Sequence, residues 1–480
     1  MPSEHENVFV TSRYNFYVPV DESVLLYNAN TGAVLQLKGP DGLALACTLS
    51  GKRIEVPEDC LSLQTHEQLC AGGFILPENR DELAEIRERF HRARRDTPLV
   101  LTLTTTMDCN LGCYYCYEER TGDRLELKDV TAIVALVKNR LARSRKRMLH
   151  VDWYGGEPLL NIEFIEAASD ELQALCKQEQ VTYAASIISN GTSWPAEAGS
   201  FINRHHIRQV QISFDGLRKN HNRRRRYRRD YTPERNASSF DRAVSLVDQL
   251  LDYVRVDVRI NIDRGNRDDV IPFIKFVRAR EWFNRSFPAV IQPARLSSYS
   301  ERSGFMRETE LSLAEYDDVR RQVRCEIGTD TPIEESEAPD GFPYPKTSVC
   351  AALADDSIVV GADGRQYHCG LQAAEPHRAV GSLRVPSRRE LPILALTNDG
   401  VQSDEAWWQG FDPTTLPNCS RCSFLPICWG GCPKKHLERD DHAIAEQSLY
   451  WRTNLPRLVA SAVDMRAMPD FAFTEPDQFR

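Results

Sequence analysis

Patterns typical of buried strands and of amphipathic helices alternate along the chain between residues 98 and 293. Residues 98–106 read PLVLTLTTT, an apolar and β-branched run that predicts a buried strand. Five more strands are predicted, at residues 148–153, 183–189, 208–214, 254–262 and 288–293. Helical spacing of apolar residues predicts a helix after each of the first five strands. Six such repeats imply a parallel sheet, so the predicted fold class is α/β, with a partial (β/α)6 barrel of the TIM type.

Composition narrows the class of protein further. The chain has 480 residues, of which 41% are hydrophobic and 27% charged, and this is ordinary for a globular protein of about three domains. The N-terminal sequence lacks a basic stretch followed by an apolar one, and no apolar run approaches the ~18 residues of a membrane helix. We therefore expect a cytoplasmic protein without a membrane partner. A pI near 5.8 also argues against general nucleic-acid binding.

Fourteen cysteines without a secretion signal predict thiolate ligands in a reducing compartment. Cys109, Cys113 and Cys116 form a tight group directly after the first strand. Three thiolates can hold three irons of a [4Fe–4S] cluster and leave the fourth iron open to another ligand. The alternative is a zinc site with these three cysteines and a distant fourth ligand.

A second group of cysteines lies near the C-terminus. It consists of Cys419, Cys422, Cys428 and Cys432, and Cys350 and Cys369 precede it. One interpretation of the last four is a zinc ribbon. The other five cysteines are predicted to be buried as small apolar residues, namely Cys47, Cys60, Cys70, Cys176 and Cys325.

With these motifs in view, the sequence resembles the radical S-adenosylmethionine (SAM) superfamily, in the branch that carries a cysteine-rich SPASM domain. Cys109, Cys113 and Cys116 match the CxxxCxxC motif of that superfamily, including the aromatic Tyr115 before the last cysteine. The resemblance implies a [4Fe–4S] cluster on these cysteines, with the amino and carboxylate groups of SAM on its fourth iron. It also implies that Tyr115 lies against the adenine.

Further SAM contacts are implied at the ends of the next strands. Gly155, Gly156 and Glu157 look like the motif that binds the SAM amino group, because glycines allow close approach and a carboxylate accepts hydrogen bonds from an ammonium group. Ser189 and Asn190 end the third predicted strand in a turn signal.

The fourth strand ends in a pattern similar to the SxDG…HxxxR motif of SPASM-type maturases. The resemblance implies that Ser213 contacts the ribose and that Arg225 binds the SAM carboxylate, a role that suits its planar fork. Arg225 lies within a run of arginines from Arg223 to Arg229. That run is either a solvated loop or a dock for an acidic peptide segment, and single-stranded nucleic acid is a weaker third interpretation.

The C-terminal cysteines resemble the SPASM pattern, which implies two auxiliary [4Fe–4S] clusters. The first would use Cys350, Cys369 and Cys432, and the second would use Cys419, Cys422 and Cys428. The pattern normally ends in one more cysteine, but none follows Cys432 here. The second cluster therefore uses a non-cysteine ligand, keeps an open iron or is absent. The nearby candidate ligands are His436, Asp440, Asp441 and His442.

The N-terminal residues predict two short strands, at 24–27 and 33–37, joined by a hairpin turn and followed by helices near 40–49 and 62–71. This order resembles a small winged-helix-like α+β domain that binds precursor peptides as an added strand. The alternative is a hairpin and helices that only cap the barrel. We predict domains at residues 1–95, 96–300 and 350–480, with 301–349 as a bridging segment.

The resemblance implies an enzyme that reductively cleaves SAM to a 5′-deoxyadenosyl radical and modifies a ribosomally made peptide or protein. The expected product is an intramolecular thioether or C–C crosslink, and the expected electron donor is a flavodoxin or ferredoxin. One alternative is an anaerobic sulfatase maturase that forms formylglycine. It is disfavoured because Gly370 stands where that branch has an aspartate base. The other alternative is a non-enzymatic zinc-binding peptide adaptor. For the enzyme, the sequence does not identify a catalytic base.

Overall fold

The computed structural model describes residues 8–21, 23–49, 55–56, 61–231, 238–298, 301–328, 341–373, 375–384, 404–461 and 463. The chain divides into two compact units, which we call the first unit and the barrel unit. The first unit contains residues 1–93, 334–349 and 411–480, and the barrel unit contains residues 94–333 and 350–410. In the parts of the chain that can be described, no helix is both long enough and apolar enough to span a membrane.

The N-terminal part of the first unit is a small mixed structure. Its elements are β1 (Phe9–Thr11), β2 (Asn15–Val20), β3 (Ser23–Asn28), β4 (Val34–Lys38), α1 (Gly39–Leu49), α2 (Leu63–Ala71), β5 (Ile75–Pro77) and α3 (Glu82–Asp96), the last of which continues into the barrel unit. β2, β3 and β4 form an antiparallel sheet in that order, and β1 pairs with β5. The predicted hairpin is thus confirmed as β3 and β4. Gly32, at φ +77°, adopts the left-handed conformation that its turn requires.

The barrel unit is built on one large sheet. Its first six strands are β6 (Leu99–Thr106), β7 (Met148–Gly155), β8 (Thr182–Ser189), β9 (Ile207–Phe214), β10 (Arg255–Ile262) and β11 (Val290–Arg295). Neighbouring strands are parallel throughout and follow chain order, which confirms the predicted series of six. The sheet continues beyond β6 with β12 (Ile358–Val360), β13 (Arg365–Tyr367) and β14 (Gly381–Ser382).

Helices lie between the first six strands and after them. Those between the strands are α4 (Val130–Ser144), α5 (Ile162–Glu179), α6 (Ala198–Arg204), α7 (Arg218–Arg224), α8 (Ser239–Leu250) and α9 (Val270–Ala279), and those that follow are α10 (Leu313–Ile327) and α11 (Asp404–Gly410). Apolar residues of β7 such as Leu149, Val151 and Trp153 are fully buried in the same core as apolar residues of α5. Residues that alternate with them, including Tyr154, lie on the opposite face and are partly accessible. The inner face of the sheet is therefore left to polar side chains.

The C-terminal part of the first unit carries the second group of cysteines. Its helices are α12 (Leu425–Cys428), α13 (Pro433–Leu437) and α14 (Asp441–Ser461). The ring of Phe424 lies 4.8 Å from that of Phe16, and Trp429 lies 5.3 Å from Phe90, measured between centroids. These aromatic contacts join the cysteine-bearing turns to the N-terminal strands and helices in one unit.

The cysteines outside the motifs differ in burial. Cys176 is buried, as predicted, and Cys70 is partly exposed. The prediction is wrong for Cys47 and Cys325, which are exposed. Cys325 lies on α10, where Val323 and Ile327 are buried, and a residue two positions from either points away from their face. Cys60 lies outside the described residues.

Candidate active site

The loop that follows β6 brings the thiols of the first cysteine group together. Cys109 is buried, and burial, the carboxylate of Glu157 and the thiols of Cys113 and Cys116 raise its pKa to about 12. Cys113 is partly exposed and Cys116 is exposed in the same loop. A metal ion binds the thiolate, so metal binding at these residues would release their protons.

Gly155 and Gly156 end β7 against the backbone of this cysteine loop. A Cβ atom at Gly155 would lie 2.3 Å from the carbonyl oxygen of Thr106, and one at Gly156 would lie 2.3 Å from that of Asp108. The amide of Gly156 donates to the Thr106 carbonyl at 3.0 Å, and the amide of Glu157 donates to the Asp108 carbonyl at 2.9 Å. The two glycines are therefore needed because two backbone segments meet here, a reason that the sequence interpretation did not contain.

Glu157 is a fully buried carboxylate at the same end of the sheet. It accepts hydrogen bonds from the Ser189 hydroxyl at 2.9 Å and from the Asn190 amide at 2.7 Å. Burial raises its pKa to about 7, although these donors act in the opposite direction. A cation placed beside Glu157 would offset the cost of burying its negative charge.

Asn190 links the end of β8 to the cysteine loop. Its side-chain amide donates to the sulfur of Cys109 at 3.6 Å and to the side-chain Oδ1 of Asn110 at 2.8 Å. A hydrogen bond to sulfur stabilises the thiolate form. Ser189 and Asn190 thus lie together with Glu157 and Cys109, as the strand order predicts.

Tyr115 and Arg225 meet in the interior, next to the end of β9. The Tyr115 hydroxyl donates to Asp215 at 2.7 Å and accepts from Arg225 Nη1 at 2.8 Å. The Tyr115 ring packs against Leu296 and Met306. Arg225 is buried, and its Nε atom has no hydrogen-bond partner among the described residues. A buried guanidinium N–H without a partner marks a place for an anionic group, and a carboxylate matches its geometry.

The arginine run is divided between the interior and the surface. Arg224 is buried, and it donates to Asp215 at 2.8 Å and to Asp263 at 2.9 Å. The solvated-loop interpretation is therefore wrong for Arg224, which joins the ends of β9 and β10. Arg223, Arg226 and Arg229 are exposed.

Residues 226–228, which we call the arginine strap, lie along the cysteine loop. The amide of Gly112 donates to the Arg226 carbonyl at 2.7 Å, and the amide of Arg228 donates to the Asn110 carbonyl at 3.0 Å. The Arg228 side chain donates to the Cys109 carbonyl at 3.1 Å. The cysteine loop is therefore held by backbone contacts with the strap as well as with the two glycines of β7.

Other polar residues line the inner face near this loop. Ser213 is partly exposed on β9, in register with Arg259 of β10. Tyr117 and Tyr154 share a hydrogen bond between their hydroxyl groups. Glu118 lies in the same loop, two residues after Cys116, and burial raises the pKa of its carboxyl group to about 7. From the sequence, no role is predicted for Asp215, which lies within the SxDG pattern, for Asp263, which follows β10, or for Glu118.

The second cysteine group shows a similar convergence within the first unit. Burial and the thiols of Cys428 and Cys422 raise the pKa of Cys419 to about 12. Cys432 is exposed in the same unit, whereas Cys350 and Cys369 belong to the barrel unit. Throughout the described ranges, no three His, Cys, Asp or Glu residues are close enough to share one metal ion. A cubane holds each thiolate on a different iron, so it spaces its ligands more widely than one ion does.

The first cysteine group fits a [4Fe–4S] cluster with bound SAM. Three converging thiols supply the donor set. The partnerless Nε of Arg225 and the buried Glu157 supply one cationic and one anionic group for an amino acid moiety. The cysteines and Glu157 follow the C-terminal ends of β6 and β7, where barrels of this kind bind ligands, and Arg225 reaches the cysteine loop through Tyr115.

Comparison with known proteins agrees with this arrangement. Residues 103–277 match the family model of the Radical SAM superfamily. The serine-type anaerobic sulfatase-maturating enzyme of Klebsiella pneumoniae is 25% identical over 332 residues, which are 68% of this chain and 79% of that enzyme. The radical SAM cyclopropyl synthase TigE of Paramaledivibacter caminithermalis is 24% identical over 170 residues. That match covers 31% of this chain and 35% of TigE, so the chain spans about a third of this relative.

Among solved structures, native anSMEcpe with bound AdoMet and Cp18Cys peptide has a TM-score of 0.54. It is 18% identical, and the superposition covers 77% of this chain and 99% of anSMEcpe. At this identity the likeness concerns the fold, which the two proteins share.

Proposed function

This chain is an enzyme with a radical SAM domain, and from that premise we propose that it modifies a peptide or protein substrate. The observation that carries the proposal is the meeting of three cysteine thiols, a partnerless buried arginine N–H and a buried carboxylate at one end of the sheet. When bound, a [4Fe–4S] cluster and SAM supply one-electron reductive cleavage, which yields a 5′-deoxyadenosyl radical.

We assign the residues of this site the following roles. Cys109, Cys113 and Cys116 hold three irons. Arg225 binds the SAM carboxylate, because its buried Nε is the donor left without a partner. Glu157 receives the SAM amino group, whose positive charge offsets the burial of the carboxylate.

The remaining contacts complete the SAM site. Ser189 and Asn190 orient Glu157 through their hydrogen bonds to it. Ser213 contacts the ribose, and Tyr115 both positions Arg225 and borders the adenine. Gly155 and Gly156 hold the cysteine loop at the distance that these contacts need.

Two observations support a peptide or protein as the substrate: the names of similar proteins and a free sheet edge in the first unit. The matched Klebsiella enzyme is named for maturing sulfatases, and the structure of anSMEcpe contains a peptide. In the first unit, β4 pairs only with β3 among the described strands, which leaves an edge on which a peptide can add as a strand. We propose that residues 1–95 recognise a precursor peptide in this way, and that a flavodoxin or ferredoxin supplies the electron.

Auxiliary clusters complete the proposal. The second cluster uses Cys419, Cys422 and Cys428, whose thiols interact in the first unit. For the first cluster, the ligands Cys350, Cys369 and Cys432 stay a prediction from the sequence pattern. When bound, such clusters would supply an electron acceptor for the substrate or a site that binds the substrate directly.

The product is a thioether or C–C crosslink within the peptide, and formylglycine formation is the second candidate. The second candidate is favoured by the 332-residue match to a sulfatase maturase. It is disfavoured by Gly370, which offers no base at the position after Cys369. The two chemistries leave different functional groups, since formylglycine carries an aldehyde whereas a thioether or C–C crosslink does not.

The test uses the reconstituted enzyme with SAM, a reductant and peptides encoded by short reading frames beside its gene. We expect one of these peptides to change mass without gaining an aldehyde, and to lose a reactive thiol where the crosslink is a thioether, as measured by mass spectrometry with thiol- and hydrazide-reactive probes. An aldehyde that reacts with hydrazide would establish formylglycine formation instead. If SAM is cleaved and neither these peptides nor a sulfatase peptide is modified, the proposed substrate class is wrong.

A further inference from the structure

Asp215 is fully buried directly after β9, between the side chains of two consecutive arginines. Its Oδ2 atom accepts a hydrogen bond from Nε of Arg224 at 2.8 Å. Its Oδ1 atom lies 3.6 Å from Nη1 of Arg225, which is an ion pair but is too long for a hydrogen bond. Arg224 is therefore the direct partner of Asp215, although Arg225 is near enough to replace it.

Arg224 also compensates a second buried carboxylate, that of Asp263. Its Nη1 and Nη2 atoms donate to Oδ1 and Oδ2 of Asp263 at 3.1 Å and 2.9 Å, in the two-pronged arrangement that guanidinium groups form with carboxylates. The single positive charge of Arg224 thus faces the negative charges of Asp215 and Asp263. Arg225 supplies the second positive charge that balances these side chains.

The hydroxyl group of Tyr115 stands between Arg225 and Asp215. It accepts from Nη1 of Arg225 at 2.8 Å and donates to Oδ1 of Asp215 at 2.7 Å. The Nε atom of Arg225 has no hydrogen-bond partner in the described part of the chain. Arg225 therefore meets Asp215 through a neutral group and keeps a donor for an incoming anion.

This group of charges lies beside the cysteine loop. Burial raises the pKa of the Cys113 thiol, while the nearby Arg225 guanidinium acts to lower that pKa and the Asp215 carboxylate acts to raise it. Tyr114 joins the same loop to Arg224, because its hydroxyl accepts from Nη1 at 2.8 Å and its ring centroid lies 5.1 Å from the guanidinium carbon. The loop that carries the cysteines thus helps to hold Arg224 in place.

Removal of Arg224 would leave Asp215 with one ion-pair partner among the described residues, namely Arg225. A buried charge that loses its partner is costly, so Arg225 would shift toward Asp215 and form a direct hydrogen bond with it. The four balanced side chains would also become three with an excess of negative charge, which repels an anionic ligand. Both effects would weaken the binding of a carboxylate at Arg225.

We propose that Arg224 is a positioning residue for SAM, which neutralises Asp215 so that Arg225 remains available to the SAM carboxylate. The inference rests on the proposed function, in which Arg225 binds that carboxylate. The nitrogen atoms of Arg224 are all engaged by other side chains. Arg224 therefore acts through Arg225 rather than by contact with SAM.

The test measures the binding of SAM to the full-length, anaerobically reconstituted enzyme by calorimetric titration. In Arg224→Gln we expect the SAM dissociation constant to rise about 10-fold, as for the loss of one charge-assisted hydrogen bond. Decarboxylated SAM keeps the sulfonium, amino and adenosyl groups but lacks the carboxylate, so we expect its dissociation constant to stay nearly unchanged. The control is Arg223→Gln, which changes the exposed arginine next to Arg224 and should affect neither ligand.

A second substitution in the Arg224→Gln background tests the competition directly. Asp215→Asn removes the competing charge, while its side-chain oxygen can still accept from the Tyr115 hydroxyl. We expect this double variant to regain most of the lost SAM affinity. Asp263→Asn in the same background removes an equal charge from a carboxylate that forms no ion pair with Arg225 among the described residues, and should restore less. The rescue lacks both partners of the buried ion pair, so it does not depend on the folding of Arg224→Gln alone.

The possible outcomes separate this inference from the proposed function. Unchanged SAM affinity in Arg224→Gln would contradict it, and so would an equal loss of affinity for SAM and decarboxylated SAM, which would show that Arg224 only maintains the fold of the site. Equal recovery from the two asparagine substitutions would indicate a general effect of charge and would contradict direct competition for Arg225. If Arg225→Lys leaves SAM affinity unchanged, the proposed SAM site fails and the inference fails with it. A loss in Arg225→Lys with none in Arg224→Gln would contradict this inference alone.

Discussion

Arg228 forms an ion pair with Asp108, in which Nη1 of the arginine lies 2.6 Å from Oδ1 of the aspartate. The same carboxylate oxygen accepts from the backbone amide of Cys109 at 2.9 Å. Tyr231 donates its hydroxyl to the other oxygen of Asp108. The arginine strap is therefore coupled through a single carboxylate to the first cysteine of the cluster loop.

Replacing Arg228 with glutamine removes this ion pair and the hydrogen bond to the Cys109 carbonyl. Because the pair is partly exposed, we expect a loss of only about 1 kcal/mol in the free energy of unfolding. We expect a larger relative effect on the cluster, seen as several-fold faster loss of iron to a chelator. Arg229→Gln alters an exposed residue of the same run and serves as the control. Equal rates of iron loss in the two variants would contradict the role of the strap.

Gly156→Ala tests the contact between β7 and the cysteine loop. The added methyl group would lie 2.3 Å from the Asp108 carbonyl oxygen, so one of the two backbone segments must move. We expect a destabilisation of about 1–3 kcal/mol and reduced iron incorporation during reconstitution. In the control Gly304→Ala, the methyl group meets no atom within 4 Å. Normal iron content in Gly156→Ala would show that the close approach is not needed for the cluster.

Arg225→Lys keeps the positive charge but loses the planar fork and the Nε donor. Loss of a charge-assisted hydrogen bond costs about 1.5–3 kcal/mol, so we expect SAM affinity to fall by roughly 10-fold to 100-fold. The measurement is calorimetric titration of SAM into the reconstituted enzyme. The control is Arg223→Lys, which changes an exposed arginine two positions away. An unchanged dissociation constant in Arg225→Lys would remove this residue from the SAM site.

The buried carboxyl of Glu157 makes stability depend on pH. Its pKa is about 7 in the folded chain against an ordinary value of 4.5, because burial disfavours the charged form. Between these values the folded state binds more protons than the unfolded state, so the free energy of unfolding falls as the pH rises. The total loss from this group is on the order of 3 kcal/mol.

The Glu157→Gln variant carries no titrating group at this position. Its free energy of unfolding should therefore fall less between roughly pH 5 and pH 8 than that of the unsubstituted chain. The measurement is urea unfolding of the cofactor-free chain at both pH values. Glu118 has a similarly raised pKa, so we expect the slope to become smaller rather than to vanish. A slope equal to that of the unsubstituted chain would show that Glu157 ionises freely in the folded state.

Much of the barrel and of the site could be predicted from sequence because the signals are local. Each strand is an apolar run, and Cys109, Glu157 and Ser189 stand at strand ends, where parallel order alone brings them together. The pairing of Arg224 with Asp215 and Asp263 could not be predicted, because it depends on which arginine of a uniform run faces inward. The steric need for Gly155 and Gly156 depends on a backbone contact between two segments that are distant in sequence.

The central claim is that Cys109, Cys113 and Cys116 hold a cluster that cleaves SAM. The most direct measurement is 5′-deoxyadenosine formed by the anaerobically reconstituted enzyme with SAM and dithionite. We predict that the unsubstituted enzyme and the control Cys325→Ala, which changes an exposed thiol outside the motifs, form this product. We predict that Cys113→Ala forms none. Product formation by Cys113→Ala at the level of the control, or none by the unsubstituted enzyme despite bound iron, would contradict the account.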